Sequence, residues 1–507
     1  MLSLVPAPAR LDLGDGPGFR LEAPVRVVVP ADDRIDAVAV AHLGDLLGAV
    51  TGGPAIVGPA DPGPDVRRSG TVELRLTGTG EGGAAPDESY TLTIDADQVV
   101  VAAAEPIGLF RGAGTLLQVL DSVRPDADGP VVLPALHVED APRYPWRGVM
   151  VDVVRHWFDV DVLKGVIDLA ATYKLNVLHL HLTDDQGWRL ELVSRPLLTE
   201  RSGTTQVGGG GAGYLSAADY AELVEYAALR RVTLVPEIDT PGHVTAAQHA
   251  YGELTPSGEP AEVADGTHVG RSKITLHEPA TLPFVRDVFS ELAAMTPGRY
   301  VHGGGDEAET MDPQDYREFI EVLGEVVAAT GKDLVVWQEA GVATLPPGAL
   351  VQLWASGMAT DGVLAAAARG HDVILSPSDH VYLDMKYTPD FPLGLDWSGH
   401  TDVRRSYEWD PATLVDGLDP ARVRGVEAAL WTETVTTRDE LFTMLLPRLV
   451  AAAEVAWTPQ ERRASGGFDD FARRLAAQEP LWHREDWAFH RSVEVPWAAS
   501  DGTVESD

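Results

Sequence analysis

Tyr300-Val301-His302-Gly303-Gly304-Gly305-Asp306-Glu307-Ala308-Glu309 runs from an apolar strand pattern through three glycines into two adjacent carboxylates. Glycine after a strand lets backbone or ligand approach without a Cβ in the way. Consecutive residues at a strand end point in divergent directions, so Asp306 and Glu307 can address different parts of one bound molecule. The competing reading is structural: a polar strand-to-helix connection in which either acid caps the helix or sits in its first turn. An isolated Asp-Glu pair does not decide between the two. The surrounding chain does.

From Arg147 onward the sequence falls into continuous apolar runs, as strands buried on both faces require, separated by helical patterns. Eight strands are predicted: Gly148 to Val154, Asn176 to Leu182, Val232 to Ile238, Tyr300 to Gly304, Leu334 to Gln338, Leu350 to Trp354, Asp372 to Ser376 and Gly425 to Trp431. Helices are predicted at Val160 to Tyr173, Ala217 to Arg230, Pro283 to Ala294, Pro313 to Ala329, Asp361 to Arg369 and Thr437 to Ala456. This order predicts an α/β fold, a (β/α)8 TIM barrel with enlarged loops. A doubly wound open sheet is the alternative.

A barrel of this kind carries its chemistry at the C-terminal ends of its strands. In order, the eight runs end at or lead to Arg155-His156, Thr183-Asp184-Asp185, Asp239 through His243, Asp306-Glu307, Trp337-Gln338-Glu339, Trp354, Tyr382-Leu383-Asp384 and Trp431-Thr432-Glu433. Each strand delivers polar or aromatic groups to one rim. The longest connections follow strands two, three and seven: the region of Gly208 to Gly213, Val244 to Lys273, and Ser376 to Asp419. Long loops of this sort are walls or lids, although the glycine run equally suits a disordered insertion.

Before the barrel, residues 1–140 alternate short β-rich runs (Val25 to Val29, Thr71 to Thr77, Ser89 to Asp95, Gln98 to Ala103) with helices near Ile35 to Val50 and Pro106 to Val123. They predict a small α+β domain, with the barrel domain occupying 141–507 after a boundary at Glu139 to Pro145. Gly108-Leu109-Phe110-Arg111-Gly112-Ala113-Gly114-Thr115 lacks the Lys of a phosphate loop and is read as a helix-packing face. The turn-rich Arg124 to Pro130 precedes a last strand.

At 507 residues the chain is long enough for two domains. A net charge of −38 repels phosphate backbones and argues against nucleic-acid and anionic-membrane partners. No apolar run approaches the roughly 20 residues of a membrane span. The absence of cysteine removes disulfides, thiolate metal sites and cysteine nucleophiles. Met1 to Pro8 shows neither a basic nor an apolar leader segment. The expectation is a cytoplasmic protein, or an extracellular one if a leader has been trimmed, acting as monomer or homodimer.

His302 to Glu307, together with His179-Leu180-His181-Leu182-Thr183-Asp184-Asp185-Gln186-Gly187-Trp188, Pro236 to His243 and Leu430-Trp431-Thr432-Glu433, resembles the family 20 glycoside hydrolases, the β-N-acetylhexosaminidases. The likeness extends to Leu4-Val5-Pro6-Ala7-Pro8 and Gly108 to Gly112 of the first domain. Two positions depart from the family pattern. Gly303 stands where a bulkier apolar residue is usual, which is expected to loosen strand four. Glu309 stands where His is common, which is expected to affect the loop rather than the reaction.

The resemblance implies a retaining, exo-acting enzyme for terminal GlcNAc or GalNAc β-glycosides, such as chito-oligosaccharides, working through an oxazolinium intermediate without metal or cofactor. It implies Glu307 as acid and base, Asp306 as partner of the acetamido N–H, and Asp184 and His243 as the pair behind Glu307. Trp337, Trp354 and Trp431 would box the acetamido methyl, and Tyr382 would donate to its oxygen. Trp397 would line the pocket or its mouth, while Arg155, Asp384 and Glu433 would hold sugar hydroxyls. Two adjacent acids in a partly dry site are also expected to push one pKa upward. Competing readings are a metal-dependent hydrolase with His179, His181, Asp184 and Asp306 as ligands, a sugar-binding protein without catalysis, and a lacto-N-biosidase-like enzyme releasing disaccharides.

Overall fold

The structure, a computed structural model, describes residues 2–498 apart from 22–24, most of 30–54, 60–70, 79–86, 124–130, 271 and 358–359. The helix expected near Ile35 to Val50 and the turn-rich Arg124 to Pro130 fall almost wholly outside the described residues. Eight parallel strands close into a barrel in chain order: Trp146–Asp152, Val177–His181, Thr233–Glu237, Tyr300–His302, Asp333–Trp337, Leu350–Leu353, Asp372–Leu375 and Val423–Leu430. The last strand closes on the first with Trp146 opposite Gly425 and Val151 opposite Leu430. All eight predicted strands are present, and the open sheet is excluded by that closure.

Apolar residues on both faces explain the closure: Trp146–Asp152 and Val177–His181 are buried along their whole length. Positions two apart share a face, so the interior is built in layers. Trp146, Val177, Val235, Val335, Leu350 and Ile374 form an apolar plug. Two residues further along the strands, His179, Glu237, Gln352 and Glu427 are buried completely, as is His302. Beyond them the strands open on the site.

The predicted helix Thr437 to Ala456 is two helices, Arg438–Leu445 and Arg448–Trp457. Pro447 has no N–H for the preceding turn and ends the first helix, which itself starts with a capping box between Thr437 and Glu440. The glycine run after strand two is a short hairpin, Thr205–Gln206 paired with Gly209–Gly210, rather than a structureless insertion. Gly303 does not loosen strand four. A Cβ there would lie 2.8 Å from Leu323 Cδ2 and 3.0 Å from Leu334 Cδ1, so those leucines already fill the space of the family's larger side chain.

The first domain is a seven-stranded mixed sheet with Pro106–Ser122 packed on it. In strand order it runs Arg10–Leu13, Leu136–Asp140, Tyr90–Ile94, Val99–Ala103, Thr71–Leu76, Arg26–Val29 and Ile56–Pro59. Gly108 and Gly112 face the sheet: a Cβ would come within 2.3 Å of Ser89 O and 2.4 Å of Val101 Cγ1, which confirms helix packing over phosphate binding.

The two domains exchange residues across their seam. Trp457 of the barrel enters the core of the first domain, and Val5 enters that of the barrel. Lys174 Nζ lies 2.9 Å from Asp140 Oδ2 and 2.8 Å from Tyr90 OH, over the Trp457 ring. Glu88 accepts from Arg111 Nε at 2.8 Å and Arg147 Nη2 at 2.6 Å. Buried charges of this kind persist only when paired.

Candidate active site

A cavity of about 300 Å³ opens at the C-terminal mouth of the barrel. Every residue expected at the site lines it except Trp337: Arg155, Asp184, His243, Asp306, Glu307, Trp354, Tyr382, Asp384, Trp397, Trp431 and Glu433. They come from six strand ends and the long seventh loop.

Asp306 and Glu307 follow the strand Tyr300–His302 across Gly304 and Gly305, both at positive φ. Only glycine fits at 304, where a Cβ would sit 1.6 Å from Asp239 Oδ1. Glu307 and His243 also hold positive φ, 48° and 55°. Such backbone strain in non-glycine residues is maintained by surrounding structure and clusters at reacting centres.

The two strained residues meet. His243 Nε2 lies 3.3 Å from Glu307 Oε2 and 3.7 Å from Asp306 Oδ2, while its Nδ1 lies 3.0 Å from Asp184 Oδ1. Burial works against an imidazolium here, but the Asp184 charge outweighs it and holds the His243 pKa well above the ordinary value. Burial likewise disfavours charge on Asp184, yet Arg155 and His243 hold it well below the usual carboxylate range. Arg155 Nη2 is 2.8 Å from Asp184 Oδ2 and Nη1 is 3.2 Å from Asp152 Oδ2.

Burial, reinforced by the Glu307 carboxylate against the pull of His243, pushes Asp306 up to about 6. The upward shift expected of the acid pair therefore falls on Asp306. Among the described residues its Oδ1 is buried without a partner, as are both oxygens of Asp384 and Oε2 of Glu433. Burial and the Glu433 charge raise Asp384, and burial raises Glu433 against Arg155. Unpaired buried oxygens are costly; these face a cavity where a ligand's N–H and O–H groups would satisfy them.

Aromatic rings form the apolar side. Tyr382, carried by a backbone bridge to Ala429, lies 6.3 Å between ring centroids from Trp431 and 6.0 Å from Trp397. Trp397 also meets Trp354 edge-on at 6.0 Å and is 51% exposed at the mouth. Trp337 lies deeper than the other rings expected in the box. It is 1% exposed, donates Nε1 to Glu237 Oε1 at 2.8 Å, and packs on Trp431 at 6.1 Å.

The alternative metal set does not assemble among the described residues. His179 and His181 face inward below the cavity. Burial opposes their charging, but Glu237 and Glu427 lift His179 to about 9, and Glu237 and Asp184 lift His181 to about 9.

Sequence reasoning placed Asp239 and Glu339 on the rim but gave neither a role. Asp239 lines the cavity, and burial together with the Asp306 charge raises its pKa well above the ordinary value. Its signal was the spacing of two from Glu237, the inward face of strand three. Glu339 lies beside the cavity, with both carboxylate oxygens 3.1 Å from Trp354 Nε1. Thr267, Val269 and Leu395 complete the lining from the long loops.

The model of Glycosyl hydrolase family 20, catalytic domain, matches residues 144–460, and that of Glycosyl hydrolase family 20, domain 2, matches residues 1–141. A β-N-acetylhexosaminidase of Cellulomonas fimi is 48% identical over 498 residues, covering 98% of this chain and 97% of its own. Among solved structures, the GH20 β-N-acetylhexosaminidase from Streptomyces coelicolor A3(2) superposes with a TM-score of 0.89 at 42% identity, covering 98% of this chain and 99% of its own. An N-acetyl-β-hexosaminidase of Streptomyces plicatus, solved in complex with Thio-NAglucal, gives a TM-score of 0.90 at 42% identity over 98% of each chain. With both family models matched in order and the barrel carrying the paired acids at its mouth, the chain belongs to glycosyl hydrolase family 20.

Proposed function

We propose that the protein is a retaining, exo-acting β-N-acetylhexosaminidase that releases terminal GlcNAc or GalNAc by substrate-assisted catalysis. The observation that carries this reading is the pairing of Asp306 with a His243-backed Glu307 on the wall of an aromatic-sided cavity. A 2-acetamido sugar brings its own nucleophile, the amide oxygen, held near the anomeric carbon at very high effective concentration. The protein then needs one proton donor and one anion.

Glu307 gives its proton to the glycosidic oxygen as the bond from the anomeric carbon to that oxygen breaks and the acetamido oxygen bonds to the same carbon. The unpaired Oδ1 of Asp306 takes the acetamido N–H, and the carboxylate faces the positive charge of the oxazolinium ring. His243, held as imidazolium, stabilises the carboxylate left on Glu307. That carboxylate next removes a proton from water, whose oxygen attacks the anomeric carbon and reopens the ring to the acetamide. Two inversions leave the configuration retained.

Asp384 and Glu433 supply the acceptors for sugar hydroxyls, with Arg155 as donor. A cavity of about 300 Å³ is at the small end of the range for ligand sites, about 300–1,000 Å³. That favours one sugar over the disaccharide of a lacto-N-biosidase-like enzyme. The test compares nitrophenyl β-glycosides and follows the anomer first formed by NMR. Release of N-acetylglucosamine as the β-anomer, with the plain glucoside inert, supports the reading. Turnover of the plain glucoside in preference overturns it.

A further inference from the structure

Trp354 is held at two separate points. Its backbone N donates to Gln338 Oε1 at 2.9 Å and its carbonyl accepts from Ser378 N at 2.7 Å, which fixes the main chain. Its indole Nε1, by contrast, meets Glu339 alone among the described residues, with both carboxylate oxygens at 3.1 Å. An indole has one N–H and no acceptor, so this contact selects the ring's orientation about its side-chain torsions. The ring lines the cavity and stands edge-on to Trp397 at 6.0 Å.

Apart from its own backbone N–H in the first turn of the short helix Gln338–Val342, the indole is the one hydrogen-bond partner of the Glu339 carboxyl among the described residues. Among the described residues no cation pairs with it, and its charged neighbours Asp306 and Glu307 have the same sign. Burial, then the Asp306 charge, push Glu339 up to about 8. At neutral pH it therefore keeps its proton and offers the indole a carbonyl oxygen without adding charge behind the wall. A polar group retained at a cost next to a reacting centre, with a single partner in the cavity wall, has its role in that partner.

We infer that Glu339 is a positioning residue of this site: it clamps the Trp354 indole as a fixed wall and so sets which acyl group on the sugar nitrogen is accepted. The inference rests on the acetamido-sugar reading above. A wall free to turn would admit a longer acyl chain and press less firmly on the acetyl group that must reach the anomeric carbon. Glu339→Gln keeps an acceptor oxygen of the same reach, whereas Glu339→Leu keeps the volume and removes the acceptor.

The experiment measures kcat and KM for nitrophenyl β-glycosides of N-acetyl- and N-butanoyl-glucosamine in the wild type, Glu339→Gln, Glu339→Leu and Trp354→Phe. Glu339→Gln should keep the wild-type preference for acetyl within about threefold, while Glu339→Leu should erode it about tenfold, through kcat on the acetyl substrate. Trp354→Phe, which removes the N–H with Glu339 intact, should erode it likewise, and adding Glu339→Leu to it should change little further. Equal losses on both substrates in Glu339→Leu and an unaltered preference in Trp354→Phe would overturn the inference. Should Glu339→Leu fail to fold, Glu339→Met, of similar volume and likewise without a carboxyl acceptor, is read in its place by the same two outcomes. Failure of the function itself would show separately, as a wild type that ignores acetamido sugars.

Discussion

His243 reaches Glu307 from one side and Asp184 from the other, Nε2 at 3.3 Å from Glu307 Oε2 and Nδ1 at 3.0 Å from Asp184 Oδ1. Glu307 changes charge during the reaction, and this arrangement lets a fixed imidazolium follow that change without moving. Because Asp184 raises the His243 pKa, Asp184→Asn lowers it, and the basic limb of the pH–rate profile moves to lower pH. The same change leaves the buried Arg155 and His181 short of a counter-charge. A stability loss of about 3–5 kcal/mol is expected from denaturant melts.

Glu307→Gln separates proton donation from the other functions of the site. Glycosides whose leaving group needs a proton should slow by about 10²–10⁴-fold, the usual worth of a positioned acid. A nitrophenolate, which leaves unaided, should lose far less in the first step. Comparing kcat/KM for methyl and dinitrophenyl glycosides reads the difference, and equal losses on both would remove Glu307 from the acid role.

Asp306 carries a pKa of about 6, against an ordinary 3.8, because burial penalises its charge. To accept an acetamido N–H and face a cation it must be ionised. The acid limb of kcat/KM, which reports the free enzyme, should therefore fall near pH 6. Stability runs the other way. A carboxyl with a raised folded pKa binds its proton more tightly when folded, so its contribution is greatest below pH 3.8 and declines as pH rises through 6. Asp306→Asn should gain up to about 3 kcal/mol at pH 7 while losing activity on acetamido substrates.

The barrel was legible because continuous apolar runs admit few other structures, and the rim because strand ends are where this fold places polar groups. The depth of Trp337 was not legible, because its strand was read without register. Paired with Gln352, it sits two residues short of the level of Trp354 and belongs to the buried layer with Glu237. The break at Pro447 was written in the sequence, but the apolar period on either side masked it. The grip of Glu339 on Trp354 joins the ends of two different strands and has no sequence period to announce it.

Gly303 tests how a departure from the family pattern is absorbed. A Cβ at this position would meet Leu323 Cδ2 at 2.8 Å and Leu334 Cδ1 at 3.0 Å, one from the helix Pro313–Ala329 and one from strand five. These leucines fill the volume that a larger residue at 303 would take, so a side chain there would have to displace packed apolar groups. Gly303→Val should therefore destabilise by about 1–3 kcal/mol through overpacking. Leu323→Ala alone should cost about 2–5 kcal/mol by leaving a cavity. Combined, the two should cost less than their sum, since each fills or frees the space the other lacks. A double-mutant cycle in urea reads the coupling directly, and strictly additive losses would mean that Gly303 answers to some constraint other than these two leucines.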